Sequence, residues 1–217
     1  MAQNKSHAVM AQRAEPHDSL DFFPTPPWAT RAFCEWLKAR DEIGRRTCWE
    51  PACGDGAMAR PLREYFAQVA ASDIRDYGFA NALTDDFLLP NPATDAEWIV
   101  TNPPFRLGEQ FISLALERAD VGVAMLVRTA FLESADRYEK LFRVRAPSDI
   151  LQFVERVPMF KGRLDRHGST ATAYCWLVWR KAQRGFGLSP SATLFHWIEP
   201  CRKRLERDSD YPPKESA

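Results

Sequence analysis

The sequence predicts an α/β protein with a doubly wound, mostly parallel sheet of seven strands and an antiparallel hairpin at one edge. Strand-like and helix-like segments alternate through most of the 217 residues, which is typical of parallel strands joined by helical crossovers. Residues 121–127, VGVAMLV, form a continuous apolar run, as expected of a strand covered on both faces. The last two strand-like segments follow each other with no helix between them, which predicts the hairpin.

The segment at residues 21–40, DFFPTPPWATRAFCEWLKAR, begins as a proline-rich loop and continues as a helix. Pro26 and Pro27 suit the entry to a first helical turn, and Thr25 is placed near its cap. Apolar residues then recur at helical spacing, at Ala29, Phe33, Trp36 and Leu37. The chain is therefore predicted to enter its folded part through a loop and an amphipathic helix.

The remaining elements follow from the hydrophobic periods of the sequence. Strands are predicted over residues 45–52, 69–74, 97–105 (interrupted by Pro103 and Pro104), 121–127, 149–157 and 170–181, with a loop or a short third strand over 84–95. Helices are predicted over residues 57–66, 108–119 and 134–145, and a short one around 194–205. This order places one folded domain at residues 21–181, after a flexible leader (1–20) and before a partly disordered C-terminal extension (182–217).

The composition excludes several classes of protein. Lys plus Arg and Asp plus Glu both number 29, so any contact with nucleic acid has to come from a local basic patch. The five cysteines form no CxxC pair and no zinc-like spacing, which predicts reduced buried thiols and no metal site. No apolar run is long enough to span a bilayer, and residues 1–18 lack the apolar stretch of a signal peptide. A cytoplasmic protein without a membrane partner is expected.

A glycine turn after the first strand indicates a nucleotide-type cofactor. Gly54 and Gly56 flank Asp55 between a strand and a helix, where glycine lets the backbone approach a ligand closely. Asp73 follows Gly56 by 17 residues at the end of the second strand, where a carboxylate can accept both hydroxyls of a ribose. A solvated strand-end carboxylate is the alternative for Asp73, and Cys53 is interpreted as a small structural residue.

The letters GDGAMA, at residues 54–59, also match the dinucleotide-binding pattern, so the turn alone leaves NAD open. Glu50, just before the turn, would be poorly placed beside a pyrophosphate. The same carboxylate is acceptable near a cationic sulfonium and an amino-acid group. The charges therefore favour S-adenosyl-L-methionine over NAD.

A second motif, Asn102-Pro103-Pro104-Phe105, ends the fourth strand. Two prolines cannot donate ladder hydrogen bonds, and they hold the carbonyl of Pro103 rigidly beside the amide oxygen of Asn102. Two fixed neutral acceptors suit an aromatic amine, because they bind its N–H groups and stabilise the positive charge that develops on nitrogen. Phe105 can stack on a base turned out of its helix. The alternative is a proline-terminated strand with no catalytic role.

Together the two motifs resemble those of the amino-methyltransferases of the class I Rossmann-like superfamily, and particularly of the DNA adenine-N6 methyltransferases, in a compact phage- or prophage-like form. The resemblance covers about residues 21–180. Residues 50–56, EPACGDG, resemble the cofactor motif of that family, and NPPF resembles its catalytic motif. Residues 22–27, FFPTPP, resemble the segment that closes over the methionine end of the cofactor, and residues 85–88, DDFL, resemble the motif that holds its adenine.

The resemblance implies roles for individual residues. It implies cofactor binding by Thr25, Pro26, Glu50, Ala52, Gly54, Gly56, Asp73, Ile74, Asp86, Phe87 and Asn102. Within this set, Asp73 is the implied ribose ligand, Ile74 packs on the adenine and Asp86 accepts from the adenine amino group. It also implies a catalytic wall made of Asn102, Pro103, Pro104 and Phe105. One departure is that the chain has little room for the large target-recognition region of site-specific family members.

A basic loop between the last two predicted strands is the candidate nucleic-acid contact. It carries Lys161, Arg163, Arg166 and His167 in an otherwise neutral protein, which favours phosphate binding, with a solvated loop as the alternative. The predicted activity is methyl transfer to the N6 amino group of adenine, with DNA favoured over RNA, in a monomer or weak dimer. RNA adenine, a protein glutamine amide and a non-catalytic cofactor-binding protein remain open as alternatives.

Overall fold

A computed structural model describes residues 21–41, 43–90, 95–181 and 192–211. The strands within these ranges are β1 (Thr47–Glu50), β2 (Gln68–Asp73), β3 (Leu83–Thr84), β4 (Trp98–Thr101), β5 (Gly122–Arg128), β6 (Asp149–Phe153), β7 (Tyr174–Arg180) and β8 (Leu194–Ile198). They form one sheet in the order β3-β2-β1-β4-β5-β7-β6-β8. The predicted leader at residues 1–20 and part of the predicted extension, residues 182–191 and 212–217, lie outside the described residues.

Helices connect the parallel strands, as the alternating pattern predicts. They are α1 (Pro27–Lys38), α2 (Ala59–Leu62), α3 (Gly108–Arg118), α4 (Ala135–Arg137) and α5 (Arg202–Leu205). The predicted helix over 57–66 is regular only within α2 and ends in hydrogen-bonded turns, such as Phe66 N–H to Leu62 O at 3.0 Å. The predicted helix over 134–145 is likewise divided, because α4 continues into a π-helix at Tyr138–Phe142. No helix in the described ranges is long and apolar enough to cross a membrane.

The strand directions confirm the mostly parallel sheet and correct its edge. Strands β1 to β5 are mutually parallel where they pair, and β7 runs antiparallel to β5 and to β6. The prediction of seven strands with a hairpin at the edge was wrong in two respects. β7 lies inside the sheet, between β5 and β6, and an eighth strand, β8, pairs parallel to β6 beyond it. β7 is apolar on both faces, from Tyr174 to Trp179, which suits an interior position.

The segment around residues 194–205 was predicted as a short helix but forms β8 followed by α5. Residues 194–198 pair in register with β6, so tertiary pairing overrides the local pattern. His196, in the middle of β8, places Nε2 at 2.8 Å from Oδ1 of the buried Asp149. Leu194, Phe195 and Trp197 are exposed, so the apolar residues of this segment do not mark the buried face of a helix.

Two apolar layers cover the sheet. One joins α1 to one face through Trp28, Phe33 and Trp176, and the other joins α3 to the opposite face through Phe111 and Trp179. β5 is buried from Gly122 to Val127, which confirms the prediction of a strand covered on both faces. All five cysteines are buried and free, as the sequence predicts.

The end of the described chain is fastened to α1 by a buried charge cluster. The guanidinium of Arg31, only 3% exposed, donates to both carboxylate oxygens of Asp210 at 2.7 Å. It also donates to Glu64 Oε1 at 2.9 Å and to the carbonyl of Leu205 at 2.8 Å. Because a buried charge is stable only when it is paired, residues 205–210 are held against the domain.

Candidate active site

A cleft opens at the carboxyl ends of β1, β2 and β4. β1 and β4 are neighbours from which the strand order proceeds in opposite directions, and this switch point is where open α/β sheets bind ligands. The cleft holds about 100 Å³ of free space. Ten of the predicted site residues line it: Thr25, Glu50, Ala52, Gly54, Asp73, Ile74, Asp86, Phe87, Asn102 and Pro104. The predicted residues Pro26, Gly56, Pro103 and Phe105 are not part of this lining.

Asn102 presents a free acceptor to the cleft. Its amide nitrogen, Nδ2, donates to the carbonyl of Phe23 at 3.1 Å and to Oγ1 of Thr25 at 3.2 Å, and it lies 3.6 Å from the sulfur of Met159. Its amide oxygen, Oδ1, is buried and has no hydrogen-bond partner. The segment before α1 therefore fixes the orientation of the amide and leaves its oxygen available to an N–H group of a ligand. The hydroxyl of Thr25 therefore serves to orient Asn102. It does not cap α1, because this helix begins without a side-chain hydrogen bond at its N-cap.

Glu50, at the end of β1, is a buried carboxyl group with an unpaired oxygen. Its side chain is 2% exposed, and Oε2 has no hydrogen-bond partner. Burial raises its pKa well above the ordinary value, and the negative charge of Asp73 adds to this effect. A buried carboxylate without a counter-charge is costly, so this position favours a cationic ligand.

Asp73 and Gly54 form the turn that faces Glu50. Gly54 has a φ of +51°, and its N–H donates to Oδ2 of Asp73 at 2.8 Å. The N–H of Arg75 donates to Oδ1 at 3.2 Å. Burial raises the pKa of Asp73, and these backbone donors oppose the shift. The carboxylate is thus held at the strand end with lone pairs left over for hydroxyl groups.

Aromatic rings that the sequence analysis missed cover this turn. A Cβ at Gly54 would lie 2.5 Å from the ring of Phe22, so glycine is needed for this close approach. Phe22 stacks on Tyr77 with ring centroids 4.5 Å apart, and both residues line the cleft. Phe22 begins the FFPTPP segment but was not singled out within it, Tyr77 belongs to no motif, and their pairing depends on loops that are distant in sequence.

Gly56 has a structural role that differs from the predicted one. Its φ is +84°, and a Cβ there would lie 2.3 Å from the ring of Phe79. The residue therefore makes room for Phe79, a member of a small buried cluster with Cys53 and Ala59. This packing explains the second glycine of the turn without a ligand contact.

The implied adenine-side residues occupy different environments. Ile74 is 57% exposed at the cleft, so it offers an apolar surface to a ligand. Asp86 Oδ1 accepts from the N–H of Leu88 at 2.9 Å, which leaves its second oxygen for a donor. Phe87 is 2% exposed, and its ring packs against Trp49 and Phe111, so it supports the cleft from the core.

The second half of the NPPF motif lines another cavity, of about 270 Å³, which shares Pro104 with the cleft. Pro103, Pro104 and Phe105 form one side of it, and the chain after β5 forms the other. The ring of Phe105 lies 5.0 Å from that of Phe23 and is covered by the guanidinium of Arg128 at 3.9 Å. The motif therefore separates two cavities, with Asn102 facing one and Phe105 the other.

The basic loop lies beside the cleft. The N–H of Gly162 donates to the carbonyl of Phe22 at 2.9 Å, and Met159, before the loop, touches Asn102. Its charges are partly neutralised, because Arg166 pairs with Asp208 at 2.6 Å and Arg163 lies 3.6 Å from Asp165. The side chains of all four predicted nucleic-acid contacts are exposed: Lys161, Arg163, Arg166 and His167. The acidic partner of Arg166 comes from the far end of the chain, which sequence spacing does not indicate.

No cluster of histidine, cysteine, aspartate or glutamate side chains that could hold a metal ion occurs in the described ranges. Buried thiols do not provide a nucleophile either. Burial raises the pKa of Cys53, beside the glycine turn, to about 12, so this thiol stays protonated near neutral pH.

Comparisons with known proteins show the fold. No family model and no curated protein matches the sequence. Among solved structures, the type I restriction-modification methyltransferase subunit of Streptococcus thermophilus has a TM-score of 0.57 and 11% identity, over 76% of this chain and 46% of that one. A proposed RNA methyltransferase of Pyrococcus horikoshii has a TM-score of 0.58 and 12% identity, over 77% of this chain and 91% of that one.

A modification subunit of a proposed type I restriction enzyme from Vibrio vulnificus YJ016 has a TM-score of 0.53 and 16% identity, over 90% of this chain and 51% of that one. The chain thus spans about half the length of the two restriction-system subunits. At these low identities the likeness establishes a Rossmann-like methyltransferase fold.

Proposed function

We propose that this protein is an S-adenosyl-L-methionine-dependent methyltransferase that methylates the N6 amino group of adenine in DNA. The observation that carries the proposal is the amide of Asn102. Its nitrogen is engaged by Phe23 and Thr25, and its buried oxygen has no partner. A buried acceptor with nothing to accept is rare in folded proteins and is a ready receptor for an amino group.

The residues of the cleft fit the cofactor. Glu50, buried with one oxygen unpaired, suits the positively charged methionine end of S-adenosyl-L-methionine. Asp73 suits the ribose hydroxyls, and the exposed apolar side chain of Ile74 suits the adenine ring. The same set suits NAD poorly, because Glu50 would repel a pyrophosphate.

The protein's own contribution to catalysis is orientation and electrostatics. When bound, the cofactor supplies a methyl group: the amine lone pair forms the new N–C bond while the C–S bond breaks and its electron pair stays on sulfur. Asn102 Oδ1 accepts one N–H of the amine and so stabilises the positive charge that forms on nitrogen. The carbonyl of Pro103 is the second acceptor, and the proton leaves to solvent after transfer. No strong base is required.

The choice of substrate rests on the surroundings of Asn102. Phe105 provides an aromatic surface in the second cavity, which meets the cleft at Pro104, and this surface suits a planar base more than an amide side chain. The basic loop with Lys161 and Arg163 lies against Phe22, where it suits a phosphate backbone. The restriction-system subunits of the same fold act as methyltransferase or modification subunits, which favours DNA.

Incubation with methyl-labelled cofactor and separate pools of DNA, RNA and protein tests the proposal. We expect label in DNA, and we expect Asn102→Ala to lower the rate by at least about 100-fold with little change in cofactor affinity. Gln68→Ala is the matched control. Gln68 is exposed at the amino-terminal end of β2, away from the cleft, so this variant should keep full activity. Label found only in protein would eliminate the adenine assignment. Equal loss of transfer and cofactor binding in Asn102→Ala would eliminate the catalytic role of the amide.

A further inference from the structure

The face of Phe105 on which a base could stack is occupied by a side chain of the same protein. The guanidinium of Arg128, the last residue of β5, lies 3.9 Å from the centroid of this ring. Phe23 takes another side of the ring, with a tilt of 48° at 5.0 Å. Phe105 and Arg128 both line the cavity of about 270 Å³, so a planar ligand that enters it competes with Arg128 for the ring.

Arg128 is held in this position without a carboxylate. Its side chain is exposed, and no carboxylate in the described part of the chain forms an ion pair with it. It is hydrogen-bonded to the buried hydroxyl of Tyr174; burial raises the pKa of this hydroxyl, and the charge and the hydrogen bond of Arg128 lower it in part. A nearby arginine of the same cavity contrasts with it: Arg137 also covers a ring, that of Phe131, but is fixed by Glu109 at 3.0 Å.

Stacking of a base on Phe105 is stronger than the cation–π contact of Arg128, so the base can replace the guanidinium. An exposed cation–π contact contributes a factor of roughly 2 to 5 in an equilibrium constant. Stacking of a base on an aromatic ring contributes a factor of roughly 5 to 150. A base can therefore displace the guanidinium from Phe105. The released arginine also gives up its hydrogen bond to Tyr174, which a phosphate group can replace.

We propose that Arg128 is a gate on the substrate side of the NPPF wall: it covers Phe105 in the free protein and moves to a backbone phosphate when a base enters. The proposal rests on the proposed function and adds a specificity device to it. A polynucleotide repays the opening of the gate with a phosphate contact, whereas a free nucleoside cannot. Arg128 thereby selects nucleic acid over single nucleosides.

Opposite effects of one substitution on two substrates test the gate. In Arg128→Ala the ring of Phe105 is open, so we expect KM for deoxyadenosine to fall by roughly 2- to 5-fold. KM for a DNA oligonucleotide should rise by roughly 3- to 10-fold, and the salt dependence of its binding should lose about one phosphate equivalent. Arg128→Lys keeps the charge without the planar stack, so it should restore oligonucleotide binding while leaving the nucleoside KM low.

Arg40→Ala is the matched control. Arg40 covers Trp36 at 4.3 Å in a similar exposed contact. Its neighbour Asp41 accepts a hydrogen bond from Trp98, the first residue of β4, so Arg40 lies at the end of the strands away from the cleft. This variant should leave KM unchanged for both deoxyadenosine and the oligonucleotide. A parallel loss with both substrates in Arg128→Ala would overturn the gate and indicate a purely structural contact. Unchanged salt dependence would overturn the phosphate step.

Binding measurements separate the gate from the proposed activity. An oligonucleotide that contains 2-aminopurine reports stacking through its fluorescence without any methyl transfer. Stronger quenching by Arg128→Ala with the free 2-aminopurine nucleoside, and weaker binding of the oligonucleotide, would support the gate even if no methyl transfer occurred. Methyl transfer to DNA with identical quenching by the parent and Arg128→Ala would support the proposed function and reject the gate.

Discussion

Replacing Glu50 by glutamine should make the free protein more stable and its cofactor binding weaker. The carboxyl group is 2% exposed and keeps one oxygen without a partner. Burial raises its pKa, so the folded state retains the proton over a pH range in which the unfolded chain has lost it. The stability that this proton provides is full below the unfolded pKa and is lost as pH rises through the folded pKa.

Glutamine does not titrate, so the difference between Glu50→Gln and the parent should grow with pH. We expect nearly equal stability at about pH 5 and a gain of about 1–3 kcal/mol for the variant at about pH 8, the cost of an unsatisfied buried group. Loss of a charge-assisted hydrogen bond to the cofactor should weaken its binding by roughly 10- to 150-fold. Urea unfolding across this pH range and calorimetric titration with S-adenosyl-L-methionine measure the two effects.

Glu97→Gln is the control with the opposite sign. The pKa of Glu97 is lowered by hydrogen bonds from Thr47 N–H and from Arg46, so its ionised form stabilises the fold above the unfolded pKa. This variant should lose stability at about pH 8 and keep its cofactor affinity. If Glu50→Gln lost stability at about pH 8, or if it bound the cofactor as the parent does, the role of Glu50 as a buried cation receptor would be refuted.

Three further predictions concern other parts of the molecule. Asp210→Ala leaves the buried charge of Arg31 short of its main partner and should cost about 3–5 kcal/mol in urea unfolding; a cost below about 1 kcal/mol would contradict the buried pair. Gly56→Ala should destabilise through contact with the ring of Phe79, and Phe79→Ala should relieve part of that cost in the double variant; strict additivity would argue against it. Cys53 should react with an aromatic disulfide reagent much more slowly than an exposed thiol, because burial raises its pKa to about 12 and leaves little thiolate; labelling of the native protein as fast as that of an exposed thiol would disprove this.

The fold was largely predictable because its strands carry strong local signals. The apolar run in β5 and the turn after β1 both lie where the sequence places them. β8 was missed since LFHWI has no clear period, and only pairing with β6 stabilises it as a strand. The interior position of β7 also follows from pairing with β5, seven residues in register, which no local pattern encodes.

The candidate site was predictable where a motif follows a strand end. Glu50, Asp73 and Asn102 meet because the carboxyl ends of parallel strands share one edge of the sheet. Contacts between distant segments were not predictable. The stacking of Phe22 on Tyr77 and the cover of Phe105 by Arg128 join segments that are distant in sequence.

The partial neutralisation of the basic loop has the same cause. Arg166 pairs with Asp208, a residue more than forty positions later in the chain. Glu206 lies at 3.9 Å from the same side chain. Counting charges over the loop alone therefore overstates the positive charge that it offers to a phosphate backbone.

The identity of the methylated product tests directly whether the protein methylates the N6 amino group of adenine in DNA. DNA incubated with the protein and S-adenosyl-L-methionine would be digested to nucleosides and analysed by mass spectrometry, with Asn102→Ala in parallel. We expect N6-methyl-2′-deoxyadenosine from the parent protein and none from the variant. A methylated cytosine as the product, or the same yield of methyladenine from Asn102→Ala, would contradict this expectation.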